Sequence, residues 1–115
     1  MKVLKANQWQ PLCTTADLVE NAGVPALCNG EQIALFYLPG ESPALYATGN
    51  WDPIGRANVL SRGIVGDVGG EPVVASPLYK QHFSLRTGQC LEEEGVSVPV
   101  YEVVIDGEQV LIAGR

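Results

Sequence analysis

Val24-Pro25-Ala26-Leu27-Cys28-Asn29-Gly30-Glu31-Gln32-Ile33-Ala34-Leu35-Phe36-Tyr37-Leu38 reads as two strands around a two-residue turn. Both central residues of the favoured hairpin turn need a positive φ, which asparagine and glycine tolerate, so Asn29-Gly30 pairs residues 24–28 with residues 32–38. The same punctuation recurs outward from this stretch. Asp106-Gly107 separates residues 100–105 from residues 109–113, and Gly69-Gly70 separates residues 63–68 from residues 71–75. A further strand over residues 81–85 ends at Thr87-Gly88, and Pro39-Gly40 and Gly49-Asn50 mark other turns. This rhythm predicts an all-β fold of antiparallel hairpins. One short helix fits: Thr14 and Asp17 have capping-box spacing and Gly23 follows as a stop, giving one or two turns over residues 15–21.

The residue inventory narrows the function classes. A chain of 115 residues suits one domain, residues 1–115, and leaves no room for two. Hydrophobic residues make up 46% against 17% charged, a globular balance that excludes a disordered chain. Thirteen glycines and eight prolines interrupt the sequence too often for a long helix, and no apolar run reaches the length of a bilayer span. Thirteen acidic against seven basic residues give a net charge of -6. The cationic stripe that neutralises phosphates is missing, so neither nucleic acid nor an anionic membrane is expected as a partner. Met1-Lys2-Val3-Leu4-Lys5-Ala6-Asn7-Gln8 has two lysines but no apolar stretch behind them, so export is not expected and the chain is read as cytoplasmic. Cys13, Cys28 and Cys90 are odd in number and far apart, with no C-x-x-C and no cysteine close to His82. They read as free thiols of a reducing compartment, not as a disulfide framework or a zinc site.

Catalytic signatures are thin. His82 is the only imidazole, and Ser84 two residues on lacks the G-x-S-x-G setting of an activated nucleophile. Glu92-Glu93-Glu94 reads as a solvated run, and Gly66-Asp67-Val68-Gly69-Gly70 matches no phosphate-binding or dinucleotide fingerprint. Charge is uneven, however. Arg56, Arg62, Lys80, His82 and Arg86 face only Asp67 and Glu71 between residues 56 and 86, while Glu92, Glu93, Glu94, Glu102, Asp106 and Glu108 crowd the last third. A locally basic middle on an acidic chain reads either as a solvated face or as a docking patch for an acidic partner.

Residues 50–88 carry the most information. Trp51-Asp52-Pro53-Ile54-Gly55 is followed by Val59-Leu60-Ser61-Arg62-Gly63. Ser76-Pro77-Leu78-Tyr79-Lys80-Gln81-His82-Phe83 is followed by Ser84-Leu85-Arg86-Thr87-Gly88. These segments resemble the two loops of Rieske-type domains. Such loops hold a [2Fe-2S] cluster through C-x-H-x-G and C-P-x-H-G patterns, with thiolates on one iron and imidazoles on the other. Gly55, Leu60, Gly63, Pro77, Phe83, Thr87 and Gly88 match the scaffold, while all four ligand positions are changed, to Trp51, Pro53, Ser76 and Tyr79. The resemblance implies a Rieske-like antiparallel β sandwich with a small loop-rich subdomain inserted over residues 47–89. The substitutions imply that this chain binds no cluster, no metal and no other cofactor.

That combination resembles one branch of the superfamily, the small subunit of assimilatory, cytoplasmic NAD(P)H-dependent nitrite reductase. The likeness spans nearly the whole chain: Asn50-Trp51-Asp52-Pro53, Val59-Leu60-Ser61-Arg62-Gly63, Val74-Ala75-Ser76-Pro77-Leu78-Tyr79-Lys80-Gln81, Gly88-Gln89-Cys90-Leu91-Glu92 and residues 98–102 carry it. It implies a large catalytic subunit as partner, carrying FAD, sirohaem and a [4Fe-4S] cluster, that reduces nitrite to ammonium, with no catalytic residue supplied by this chain. A Rieske-type ferredoxin electron carrier and a stand-alone β interaction module are the competing readings. Two arrangements of the vacated positions are open. Trp51 and Tyr79 pack with Ile54 across the loops where a cluster would sit, or Trp51 stays partly exposed and anchors the partner within a basic rim of Arg56, Arg62 and Lys80. Ser76 and Tyr79 are expected to hydrogen-bond within the loops.

Overall fold

A computed structural model describes residues 9–113; the segment on which the export reading rests, residues 1–8, lies outside the described residues. The strands are β1 (Trp9–Thr14), β2 (Ala22–Cys28), β3 (Glu31–Tyr37), β4 (Leu45–Gly49), β5 (Trp51–Asp52) and β6 (Ala57–Asn58), then β7 (Ile64–Val68), β8 (Glu71–Ala75), β9 (His82–Ser84), β10 (Val100–Tyr101), β11 (Val103–Asp106) and β12 (Gln109–Ala113). They form a central sheet in the order β10-β4-β3-β2, a second sheet β1-β12-β11, a third β7-β8-β9 and the small pair β5-β6, with every strand pairing antiparallel.

Two of the three hairpin turns form for the reason read in the sequence; in the third, Asp106 is the last strand residue, paired with Gln109, and the turn falls on Gly107 and Glu108, with the positive φ of 63° at Gly107. Asn29 and Gly30 have φ of 50° and 83°, and Gly69 and Gly70 have 61° and 89°, the doubly positive geometry that matches strand twist. Strand β3 then decides the layering. Its run Ile33-Ala34-Leu35-Phe36 is fully buried, so alternate side chains enter two different cores. Ile33 and Leu35 pack with Leu45, Ala47, Val110 and Ile112 against the β1-β12-β11 sheet. Ala34 and Phe36 pack with Tyr46, Leu60, Val74 and Phe83 against the β7-β8-β9 sheet. Each of the large side chains contributes roughly 1.5–3 kcal/mol through removal from water. The central sheet is therefore covered on both faces, and one cover carries the two loops of interest.

Two local expectations change. The helix expected over residues 15–21 is a single 3-10 turn, Thr15–Asp17. Asp17 does accept from the Thr14 backbone N–H at 3.0 Å and from its hydroxyl at 3.1 Å, but Leu18 is already extended and the Asn21 N–H bonds the Tyr37 carbonyl at the edge of β3. Sheet pairing outcompetes a turn too short to propagate. The strand expected over residues 100–105 breaks at Glu102. Val100 and Tyr101 pair with Thr48 and Ala47, whereas Val103 to Asp106 pair with β12. The chain changes sheets at that residue and makes a corner of the sandwich.

Candidate functional site

The first loop starts at Asn50, which is buried and spends every polar atom on fixing the base. Its side-chain N–H groups reach Gln32 Oε1 at 3.0 Å and the Asn58 carbonyl at 3.2 Å, and its Oδ1 accepts the Ser61 N–H at 2.7 Å. Asp52 follows, fully buried. Asp52-Pro53-Ile54-Gly55 is a turn sequence in which the leading Asp side chain caps the backbone two and three residues on. Asp52 Oδ1 accepts the N–H of Ile54 at 2.9 Å and of Gly55 at 3.0 Å, and the Arg56 N–H closes the turn on the Asp52 carbonyl at 2.6 Å.

The second loop leaves β8 at Ser76, also buried. The Ser76 N–H bonds the Gln81 carbonyl at 2.8 Å and the Lys80 N–H bonds the Ser76 carbonyl at 3.0 Å, closing the loop on itself. The Ser76 hydroxyl accepts the Leu78 N–H at 3.2 Å and donates to Asp52 Oδ2, joining the two loops. They touch closely: a Cβ on Gly55 would lie 2.5 Å from Leu78 Cδ1 and 2.8 Å from Asp52 Oδ2. A side chain at Gly55 would have to displace the end of Leu78 and press on the buried Asp52 carboxyl.

Of the two arrangements left open by the sequence, Trp51 and Tyr79 are not buried together across the loops, and Trp51 is instead partly exposed. Trp51 is 48% exposed and Tyr79 is 64% exposed, so neither fills the position a cluster would occupy, and Ile54 alone packs against the core. A polar bond between Asp52 and Ser76 spans the loops instead. The buried Asp52 and Ser76 side chains already bond each other between the loops. Ser76 makes the hydrogen bonds expected of it, whereas Tyr79 points its surface to solvent. Arg56, Arg62 and Lys80 are exposed. Asp52 was missed in the sequence, although its turn pattern with Pro53 and Gly55 signals a capping carboxyl.

Three of the four positions offer nothing that fits a [2Fe-2S] cluster, and the fourth, Tyr79, is an exposed phenol in place of an imidazole. Pro53 has no donor atom, the Trp51 indole nitrogen carries a hydrogen, and the Ser76 hydroxyl is taken up by Asp52 and Leu78. His82 stands on β9, where its Nδ1 lies 2.6 Å from Glu92 Oε2 and its backbone N–H reaches Glu92 Oε1 at 2.7 Å. Burial opposes ionisation of Glu92, but the two His82 contacts outweigh it and hold the carboxyl below the usual range. Among the described residues no group of three or more His, Cys, Asp or Glu side chains is placed to hold a metal ion.

Two cluster-type loops on paired antiparallel sheets define the class, and residues 8–113 match the family described as Rieske-like [2Fe-2S] domain. The chain belongs to that family. Within it the chain belongs with the nitrite reductase small subunits. It is 43% identical over 108 residues to the "Nitrite reductase (NADH) small subunit" of Salmonella typhimurium, covering 94% of this chain and 99% of the relative. The solution structure of the "nitrite reductase [NAD(P)H] small subunit" from Erwinia carotovora superposes with a TM-score of 0.77 at 41% identity, covering 94% of this chain and 82% of that one. A third relative, the "Nitrite reductase [NAD(P)H] large subunit" of Klebsiella oxytoca, is 38% identical over 112 residues, which are 97% of this chain but 11% of that protein. A ferredoxin of carbazole 1,9a-dioxygenase from Nocardioides aromaticivorans, at 22% identity and a TM-score of 0.77, shares the fold alone.

Proposed function

We propose that this chain is the noncatalytic small subunit of an NAD(P)H-dependent nitrite reductase and acts by binding the large subunit that reduces nitrite to ammonium. FAD, sirohaem and a [4Fe-4S] cluster belong to that subunit in this reading. The observation that carries it is the Asp52–Ser76 link, which joins the two loops with groups that cannot ligate iron as a Rieske cluster requires, in a chain whose relatives bear the small-subunit name. The Klebsiella protein adds a second support: a stretch like this chain forms part of a single polypeptide named as the large subunit, so the two belong in one assembly. Residues 1–115 act as one unit in this reading, with the loop-rich part over residues 47–89 presenting the contact surface. No helix among the described residues is long and apolar enough to cross a membrane. Three free cysteines suit a reducing cytoplasm.

The test is reconstitution. Large subunit purified without this chain is assayed for nitrite-dependent NAD(P)H oxidation, and the chain is then added back. Restored or raised turnover by a chain that stays colourless and iron-free when prepared anaerobically is the expected result. Stoichiometric iron and sulfide in the chain would establish the electron-carrier reading instead, and turnover indifferent to the chain would leave a stand-alone module.

A further inference from the structure

We propose that the two loops form a cationic docking face for a carboxylate-rich surface of the large subunit, with Arg56, Arg62 and Lys80 as charged contacts and the hollow beside Ile64 as the apolar anchor site. This rests on the small-subunit reading and adds the chemistry of the contact.

Charge is the first observation. The described residues include four lysine or arginine side chains, and Arg86 lies 3.7 Å from Glu41. Arg56, Arg62 and Lys80 make no ion pair among the described residues, although the chain holds thirteen acidic residues and a net charge of -6. All three lie in or beside the loops that Asp52 and Ser76 join. Among the described residues the cations without an ion pair thus fall in or beside the two loops, and such a local excess of positive charge steers a negative partner toward them.

Backbone conformation is the second. Among the described residues four non-glycine residues have positive φ: Asn21, Asn29, Arg56 at 59° and Lys80 at 65°. Asparagine visits this region readily, but arginine and lysine do not. Lys80 also falls on the closing glycine of the C-P-x-H-G pattern that the second loop resembles. Glycine meets that conformation without strain, so the fold alone gives no reason for a lysine there. Strain held at exposed charged residues marks a surface shaped for contact.

The third observation is the hollow itself, about 470 Å³, lined by Arg62, Ile64, Ala75, Pro77 and Lys80 with His82 at its side. Ile64 is 77% exposed, the most open of the large apolar side chains among the described residues. An apolar floor with a cationic rim accepts an apolar side chain flanked by carboxylates.

The experiment measures the Kd of the full chain for the purified large subunit at low and high salt, together with the Tm of each variant. Lys80→Gly is expected to weaken binding about tenfold while its Tm stays level or rises, because the charge is lost and the strain relieved. Arg62→Glu is expected to weaken binding further, and wild-type affinity to fall as salt rises. Glu108→Lys, on the exposed β11–β12 turn, leaves Kd unchanged. Wild-type affinity in Lys80→Gly and Arg62→Glu overturns the docking face alone, and a lowered Tm in Lys80→Gly does the same by making the lysine structural. No binding by the wild-type chain overturns the small-subunit reading with it. Variants that lose self-association in the ultracentrifuge yet bind the large subunit normally assign the face to a second copy and overturn the proposal.

Discussion

The Ser76 hydroxyl, 24 residues along the chain from Asp52, donates a hydrogen bond to the Asp52 carboxyl in the buried space between two loops. A buried acceptor that loses its donor carries its full desolvation cost, roughly 1–3 kcal/mol. Ser76→Ala is expected to lower stability by that amount in urea unfolding. Asp52→Ala should cost more, since the Ile54 and Gly55 N–H groups also lose their acceptor. The double variant should fall short of the sum, because both changes break one shared bond. An unchanged unfolding midpoint in Ser76→Ala would show that the link contributes nothing.

Gly88 stands at φ 81°, and a Cβ there would press into the Val98 carbonyl. The left-handed backbone costs a non-glycine residue about 1–2 kcal/mol before any clash. Gly88→Ala should therefore destabilise by about 2 kcal/mol or more and loosen the pairing of the Gly88 carbonyl with the Val98 N–H, now 2.8 Å. Hydrogen exchange at the Val98 amide reads the local effect. Protection equal to wild type would count against it.

Acid should release the Glu92 contact. The folded carboxyl titrates below its ordinary value of 4.5, so its contribution is complete above that pH and fades as pH falls through the folded value. Glu92 is well exposed, which keeps the effect within about 0.2–1 kcal/mol. Glu92→Gln should be less stable than wild type at neutral pH, with the gap closing below about pH 4.5. A gap that persists at pH 3, roughly, would mean the carboxyl's charge has no part in it.

Cysteine reactivity should be low in the folded protein. Cys28 and Cys90 are buried, and although Cys13 is half-buried, desolvation first and the neighbouring Asp17 second push its thiol pKa up. Less thiolate means slower alkylation. Iodoacetamide at neutral pH should label Cys13 more slowly than a free cysteine peptide, and labelling should accelerate on raising the pH. Asp17→Asn should speed it. Peptide-like rates in the wild type would refute this account.

Turn chemistry made the hairpins legible. Asn29-Gly30 and Gly69-Gly70 each specify a local geometry, Gly107 marks a third turn one residue later than the Asp106-Gly107 pair suggested, and strands β2, β3, β7, β8 and β12 follow within a residue or two, whereas β11 starts at Val103. What depends on distant pairing was not legible. Glu102 ends one strand and begins another only because Ala47 and Thr48 lie in a different sheet from β12. Leu18 and Asn21 give up a helix because β3 offers the Tyr37 carbonyl. At the loops the identities of Trp51, Pro53, Ser76 and Tyr79 revealed what was replaced. They did not show that Asp52 takes over the joining role, since that pairing exists only once both loops have folded against each other.

Strand β1 runs antiparallel to β12 with Trp9 opposite Ala113. The two ends of the described chain are thus neighbours on one sheet, and a linker at either end departs from the same edge. A module built this way can be spliced onto a host polypeptide without stretching or threading its own fold. Tethering of that kind replaces a bimolecular encounter by an intramolecular one at a local concentration that short flexible linkers raise to the order of millimolar. A free module and a fused one then differ in how often they meet the same partner, by the ratio of bulk to local concentration.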